Sequence, residues 1–164
     1  MRAHRLLIVL ALGGIATPAF AASWTVDRYG SGDYTTIQAA INASSSGDSI
    51  SVLPATYTET VDYKGKNLDI SSTGGAAVTI IDGDGATSAV TLDSGESSSA
   101  ALSGFTVRNS GGHAIQTENS SPTFSNLSIT DSGSTSYVYG YVYGGGVSVD
   151  GGAPTFDTVN FSDN

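Results

Sequence analysis

Gly104-Phe105-Thr106-Val107-Arg108-Asn109-Ser110-Gly111 recurs as Asn126-Leu127-Ser128-Ile129-Thr130-Asp131-Ser132-Gly133, and again as Thr158-Val159-Asn160-Phe161-Ser162-Asp163-Asn164. In each copy apolar and polar residues alternate, then give way to Asn, Asp, Ser or Gly. Alternation with period two marks a short strand with one buried face. The closing residues are those that make turns. The first step between copies is 22 residues and the second is 32. Ala114-Ile115 aligns with Gly146-Val147, and Ser121-Pro122-Thr123-Phe124 with Ala153-Pro154-Thr155-Phe156, each offset by 32. The ten extra residues therefore fall in 134–143, and the underlying period is about 22.

A period of that length predicts a solenoid, whose units bury their apolar faces only against neighbours. Upstream, Ile50-x-Val52, Tyr57-x-x-x-Val61, Leu68-x-Ile70, Val78-x-Ile80 and Val90-x-Leu92 show the same short spacing, as does Val147-x-Val149 downstream. Three short strands per period, with Gly, Asn and Ser at the bends, are most economically arranged as a parallel β-helix. Phe105, Val107, Leu127, Ile129, Val159 and Phe161 then point inward in vertical stacks. Residues 48–164 supply about five coils, or roughly 25 Å of cylinder at the strand spacing. The competing fold, an antiparallel sandwich, gives no reason for matched segments in fixed phase.

Composition agrees. Of 164 residues, 25 are Ser, 18 Thr and 21 Gly, while charged residues are only 13%. Helix bundles and dinucleotide-binding α/β domains need long runs of Ala, Leu, Glu and Lys that this chain lacks. A hydrophobic content of 39% argues against disorder. The formal charge of −9 argues against nucleic acid as a partner, because phosphate binding needs a basic face. The chain has no cysteine, so its stability must come from packing and backbone hydrogen bonds.

The first residues read as an address. Arg2, His4 and Arg5 precede an apolar run from Leu6 to Ala16, and Ala19-Phe20-Ala21 closes the segment. A basic start, an apolar core and an Ala-x-Ala end form a secretory signal peptide over 1–21. The run is too short to span a bilayer, which takes roughly 20 apolar residues. Losing Arg2 and Arg5 takes the net charge from −9 to −11. The expected destination is outside the cell, free or on a bacterial outer surface. Residues 22–47 form the expected N-terminal cap. Within it a helix is predicted over 35–43, with Asp33 or Thr35 as N-cap and Ile37, Ala40 and Ile41 on one face. Two turns of helix are not stable alone, so this stripe should plug the open end of the solenoid.

Several stretches resemble known proteins. Gly30-Ser31-Gly32-Asp33-Tyr34-Thr35-Thr36-Ile37-Gln38-Ala39-Ala40-Ile41, followed by Gly47-Asp48-Ser49-Ile50-Ser51-Val52-Leu53-Pro54-Ala55-Thr56-Tyr57, resembles the N-terminal cap of pectin-methylesterase-like right-handed β-helix proteins. Thr79-Ile80-Ile81-Asp82-Gly83 and Leu102-Ser103-Gly104-Phe105-Thr106-Val107 look like the exported β-helix repeats of bacterial surfaces. Gly144-Gly145-Gly146-Val147 and Phe161-Ser162-Asp163-Asn164 are similar to the paired Gly-Gly-x-Ile and Phe-x-x-Asn motifs of polymorphic outer-membrane protein adhesins. The resemblance covers nearly all of 24–164 and implies a right-handed, pectin-lyase-like β-helix. That fold hosts lyases, esterases, hydrolases and non-catalytic adhesins alike.

The catalytic signatures of the enzyme branches have no match here. Only Arg28, Lys64, Lys66 and Arg108 remain as bases after export, and Lys64 and Lys66 bracket Gly65 in what reads as a solvated turn. Asp82-Gly83-Asp84-Gly85 places two carboxylates in a Gly-rich turn that suits calcium in principle, but Ala86-Thr87-Ser88-Ala89 adds no acid, and a plain turn is expected. His113, the single histidine after export, reads as a strand-start residue. Asn109, Asp131 and Asp163 share one phase and should stack, with the two carboxylates bridged by a cation or splayed into solvent; splaying is expected. Catalysis, if present, would be sought first at Asp82, Asp84 and Asp131.

The best ligand candidate is 134–143. In an extended strand Tyr137, Tyr139, Tyr141 and Tyr143 share one face, a platform for sugar rings or a partner protein. No catalytic residue, metal or cofactor is assigned. The expected function is an exported module for surface display, adhesion or carbohydrate binding, with a polysaccharide or cell-surface protein as partner. The alternative is the N-terminal part of a pectin-lyase- or pectin-esterase-type enzyme whose catalytic residues lie beyond Asn164. The third repeat stops where earlier copies continue, so a longer natural product or edge-to-edge self-association is expected.

Overall fold

A computed structural model of the chain describes residues 21–133 and 145–164. The signal segment, apart from Ala21, and the tyrosines of 137–143 lie outside the described residues. The elements run β1 (Ser23–Val26), α1 (Ile37–Ala43), β2 (Ser49–Val52), β3 (Thr56–Thr58), β4 (Val61–Asp62), β5 (Asp69–Ser72) and β6 (Ile80–Asp82). There follow β7 (Ser88–Leu92), β8 (Ala101–Ser103), β9 (Thr106–Arg108), β10 (His113–Glu118), β11 (Thr123–Thr130), β12 (Val147–Asp150) and β13 (Thr155–Ser162). The fold is all-β, and every strand pair is parallel.

Three ladders carry the core. The first links β1, β2, β5, β8, β11 and β13 through Trp24, Ile50, Ile70, Leu102, Phe124 and Phe156. The second links β3, β6, β9 and the later halves of β11 and β13 through Tyr57, Ile81, Val107, Ile129 and Phe161. Because β11 and β13 belong to both, these ladders form one nine-stranded sheet. The third is a separate four-stranded sheet through Val61, Val90, Ile115 and Val147. Interior members of each column are fully buried, as are Phe105 and, nearly so, Leu127. Val159 is only partly buried, and Phe161 is 53% exposed, because β13 has a described neighbour on one side alone.

The steps along the first ladder are 26, 20, 32, 22 and 32 residues. The expansion over 134–143 is therefore one of two. The other is divided mainly between the connections 73–79 and 93–100. In the first of these the expected Val78-x-Ile80 phase is corrected: Val78 is half exposed in a turn, and Ile81 points inward opposite Tyr57 and Val107. A one-residue offset exchanges the two faces of a strand.

The bends are made by left-handed residues. Gly104, Asn126 and Thr158 share one phase with φ of 77°, 52° and 55°. Asn109, Asp131 and Asp163 share the next, with φ of 56°, 49° and 54°. Gly has no Cβ to clash there, and Asn and Asp tolerate the region. This conformation, rather than amide stacking, accounts for the residue types in that second column.

Helix α1 starts later than the sequence suggests. Its N-cap is Thr36, whose hydroxyl accepts from the Ala39 amide; Asp33 is occupied in accepting the Thr25 amide. Ile37, Ala40 and Ile41 are buried against β1, β2 and β4. Both helix ends are bound by the segment that follows. The two carboxylate oxygens of Glu59 accept the Ile37 and Gln38 amides, each at 2.9 Å. Lys66 Nζ donates to the carbonyls of Ile41, Asn42 and Ser44 at 2.6, 3.2 and 2.7 Å. An anion at the first turn and a cation at the last match the helix dipole. Lys66 is thus a clamp, not a solvated turn charge, while Lys64 reaches only Asn42 Oδ1.

Candidate functional site

Asp82 ends β6 next to Ile81 and is largely buried. Its carboxylate accepts from Arg108 Nε at 2.9 Å, Asn109 Nδ2 at 2.8 Å and the Asp84 amide at 3.1 Å. Burial pushes its carboxyl up, but the hydrogen bonds from Asn109, Asp84 and Arg108 outweigh it and hold the group below the usual range. Asp84 stands exposed at φ 51°, so this acid pair forms a turn closed on its own backbone. Asp131 is exposed and accepts from the Thr130 hydroxyl at 2.7 Å; Asp163 is exposed as well. Among the described residues no group of three His, Asp or Glu side chains is placed to hold a metal ion. His113 begins β10, half buried, opposite Ser88.

Two acids without a sequence signal, Glu96 and Glu59, bind main-chain amides remote from them. Glu96, 1% exposed, accepts from the Gly65 amide at 2.8 Å, the Ser94 amide at 3.1 Å and the Ser120 hydroxyl at 2.8 Å. It ties three successive turns of chain together through donors 31 and 24 residues away. Glu59 sits beside Arg28, Thr36 and Tyr57 in a small concavity of about 330 Å³. Burial raises its carboxyl above the usual value despite the Gln38 and Ile37 amides and the nearby Arg28. Both oxygens already accept hydrogen bonds, which leaves Glu59 better suited to holding the cap than to moving a proton. No sequence signal marks either residue, because their partners are mostly backbone amides remote in the chain.

What faces outward is a regular polar surface. Thr25, Ser51, Ser71, Ser103, Ser125 and Asp157 form one column of the nine-stranded sheet, and Ser23, Ser49, Asp69, Ala101, Thr123 and Thr155 form the next. Hydroxyls bond along the column, Ser23 to Ser49 at 2.9 Å and Thr123 to Thr155 at 3.1 Å. Short side chains at the strand spacing give a flat, hydrogen-bonding face.

At the other boundary Gly146 and Phe161 meet. The Phe161 ring covers Gly146, where a Cβ would stand 2.9 Å from it. Asn164 accepts the Ser132 amide at 3.1 Å and donates to the Ile129 carbonyl at 2.9 Å. Beside them Val147, Val149, Phe156, Phe161 and Asn164 line an open concavity of about 910 Å³. Among the described residues no helix is long and apolar enough to cross a membrane. The chain matches no protein-family model and no curated protein sequence.

Proposed function

We propose that the chain is an exported right-handed parallel β-helix module of the pectin-lyase-like kind. Its role is surface display, adhesion or carbohydrate binding. The observation that carries this reading is the flat outward face of aligned Ser and Thr hydroxyls on parallel strands in fixed register. Such a face offers donors and acceptors at regular intervals to a polymer of hydroxylated rings. The parallel ladders and left-handed bends support the solenoid, and the Phe161–Gly146 contact supports the adhesin-like pairing. Tyr137, Tyr139, Tyr141 and Tyr143 supply the stacking platform in this reading.

A glycan array probed with the exported chain tests it. Binding that weakens when all four tyrosines become Ser supports the platform, and unchanged binding removes it. Turnover of pectin or polygalacturonate by the same chain would overturn the non-catalytic reading in favour of a polysaccharide-active enzyme.

A further inference from the structure

The leader motif and the start of the fold meet at one peptide bond. Ala19-Phe20-Ala21 closes the segment that reads as a signal peptide, and a leader of that form is cut after its final small residue. Ala21 is exposed. Among the described residues Ala22 is the first that the fold holds by both polar groups of its main chain. Its carbonyl accepts the Ser49 amide at 2.9 Å, and its nitrogen donates to Asp48 Oδ1 at 2.7 Å. Sequence and structure thus mark the same bond independently, one by small residues and the other by hydrogen bonds.

Asp48 lies in the turn between α1 and β2 and is only 6% exposed. Its other oxygen, Oδ2, accepts the Ser45 amide at 2.8 Å and the indole Nε1 of Trp24 at 3.3 Å. The Asp48 carbonyl accepts the Asp69 amide at 3.1 Å, so this residue joins β1, the turn after α1 and β5. All three donors on the carboxylate are neutral as long as Ala22 is joined to Ala21. Lys66 attracts it more weakly from the helix side, with Nζ engaged by the carbonyls of Ile41, Asn42 and Ser44. On the outward side stands Asp69, exposed, opposite Ser49. The Ser45 and Ala22 amides hold the Asp48 carboxyl below its usual range against the opposing effect of burial, so it is ionised near neutral pH. A buried anion whose close donors are all neutral is costly.

We infer that Asp48 is the receptor for a new chain terminus: cleavage of the Ala21–Ala22 bond by the endopeptidase of the export machinery leaves an α-ammonium on Ala22 that pairs with Asp48 Oδ1. The inference rests on the export reading above. The step is a hydrolysis. One water is consumed and the C–N bond breaks; the water oxygen stays on the Ala21 carboxylate, and both its hydrogens end on the Ala22 nitrogen. That nitrogen already stands 2.7 Å from Oδ1, so the ion pair forms without rearrangement. Such a charge-assisted bond is roughly twice as strong as its neutral counterpart, and capture of an N-terminal amine is a recurring form of recognition. The pair exists in the processed chain alone. Leader removal therefore makes the cap more stable than in any form with residues ahead of Ala22.

The test begins with the intact mass of the chain secreted by a bacterial host. A product beginning at Ala22 is expected; any other start overturns the inference together with the export reading of this leader. In the chain that begins at Ala22, NMR titration at the Ala22 methyl should show proton binding at least tenfold tighter than at an ordinary α-amino group, whose pKa is about 7.7–8.0. Asp48→Asn should abolish that excess. Three forms are then melted: free Ala22, Nα-acetylated Ala22, and the chain extended by Ala21. At pH 7 the free form melts highest and the other two agree, because acetylation keeps the N–H and removes only the charge. The amine is raised in the folded chain, so this advantage is complete below the unfolded value near about 8 and is lost as pH rises through the folded value. It fades again in acid as Asp48 takes up a proton. An amine of ordinary proton affinity overturns the inference alone, as does a melting advantage equally large with Asp48→Asn; a start at Ala22 leaves the export reading standing in either case.

Discussion

Replacing Lys66 by Met removes the ammonium that closes the C-terminal end of α1 while keeping an unbranched apolar stem. Nζ donates to three carbonyls, two of them at 2.7 Å or less. A cation in a partly buried helix C-terminus contributes up to about 2 kcal/mol, and stranded carbonyls add about 1 kcal/mol or more where water cannot replace the donor. The expected loss is about 2–3 kcal/mol, or roughly 6–10 °C in melting temperature for a domain of this length. Because α1 covers one end of the core, the loss can also appear as local opening. Native-state hydrogen exchange distinguishes the two by following the Ala40 and Ser44 amides beside probes in β10 and β11. Lys64→Met is the control, since Lys64 reaches only an exposed Asn42 side chain, and it should cost less than about 0.5 kcal/mol. If Lys66→Met and Lys64→Met are equally mild by both measurements, the clamp contributes nothing and the reasoning fails.

Thr158 is a β-branched residue at φ 55° where sister positions hold Gly104 and Asn126; Thr158→Asn should stabilise by about 1 kcal/mol and Asn126→Thr destabilise by a similar amount, read from denaturant midpoints. Glu96→Gln replaces one acceptor oxygen with a donor facing amide or hydroxyl hydrogens, so a loss of about 2–3 kcal/mol is expected; a stability unchanged in urea titration refutes it. The pH dependence has two opposed parts. Glu59 has a raised carboxyl, so its contribution is complete below its unfolded value near about 4.3 and is lost as pH rises through the folded value. The stability advantage of the parent over Glu59→Gln should therefore shrink as pH rises from that point, and growth in this range contradicts the assignment. Asp82 is lowered, so the cost of Asp82→Asn should be full at neutral pH and vanish as pH falls through the folded value.

Much of the ladder system was legible in the sequence. Phe105, Val107, Leu127 and Ile129 could be placed inward because 22-residue spacing brings matched residues into register, and the structure pairs Val107 with Ile129 and Ile129 with Phe161. The helix stripe Ile37, Ala40 and Ile41 was legible for the same reason, since an apolar face must meet a core. Ile81 was not. The apolar run from Val78 to Ile81 permits either phase, and the choice is made by pairing with Tyr57 and Val107, 24 and 26 residues away. The roles of Lys66 and Glu59 are not legible because their partners are main-chain groups of a helix more than 20 residues distant. Asn109, Asp131 and Asp163 were correctly grouped, but the property they share is a backbone angle, which side-chain chemistry alone does not display.

The unequal steps between rungs carry a consequence for how such a chain diversifies. Between 20 and 32 residues separate equivalent positions, yet Ile50, Ile70, Leu102 and Phe124 remain aligned. Length is absorbed in the connections, so added sequence emerges sideways and leaves the stacking undisturbed. Long insertions carry little closure entropy, each doubling costing only about 0.6 kcal/mol. The exposed tips at 77–78 and 98–99, clear of the buried Thr79, Glu96 and Ala100, are therefore places where foreign loops, epitopes or recognition segments can be grafted with the least effect on the remainder. New surface chemistry can be acquired there one loop at a time, with no change to the residues that hold the rungs in line.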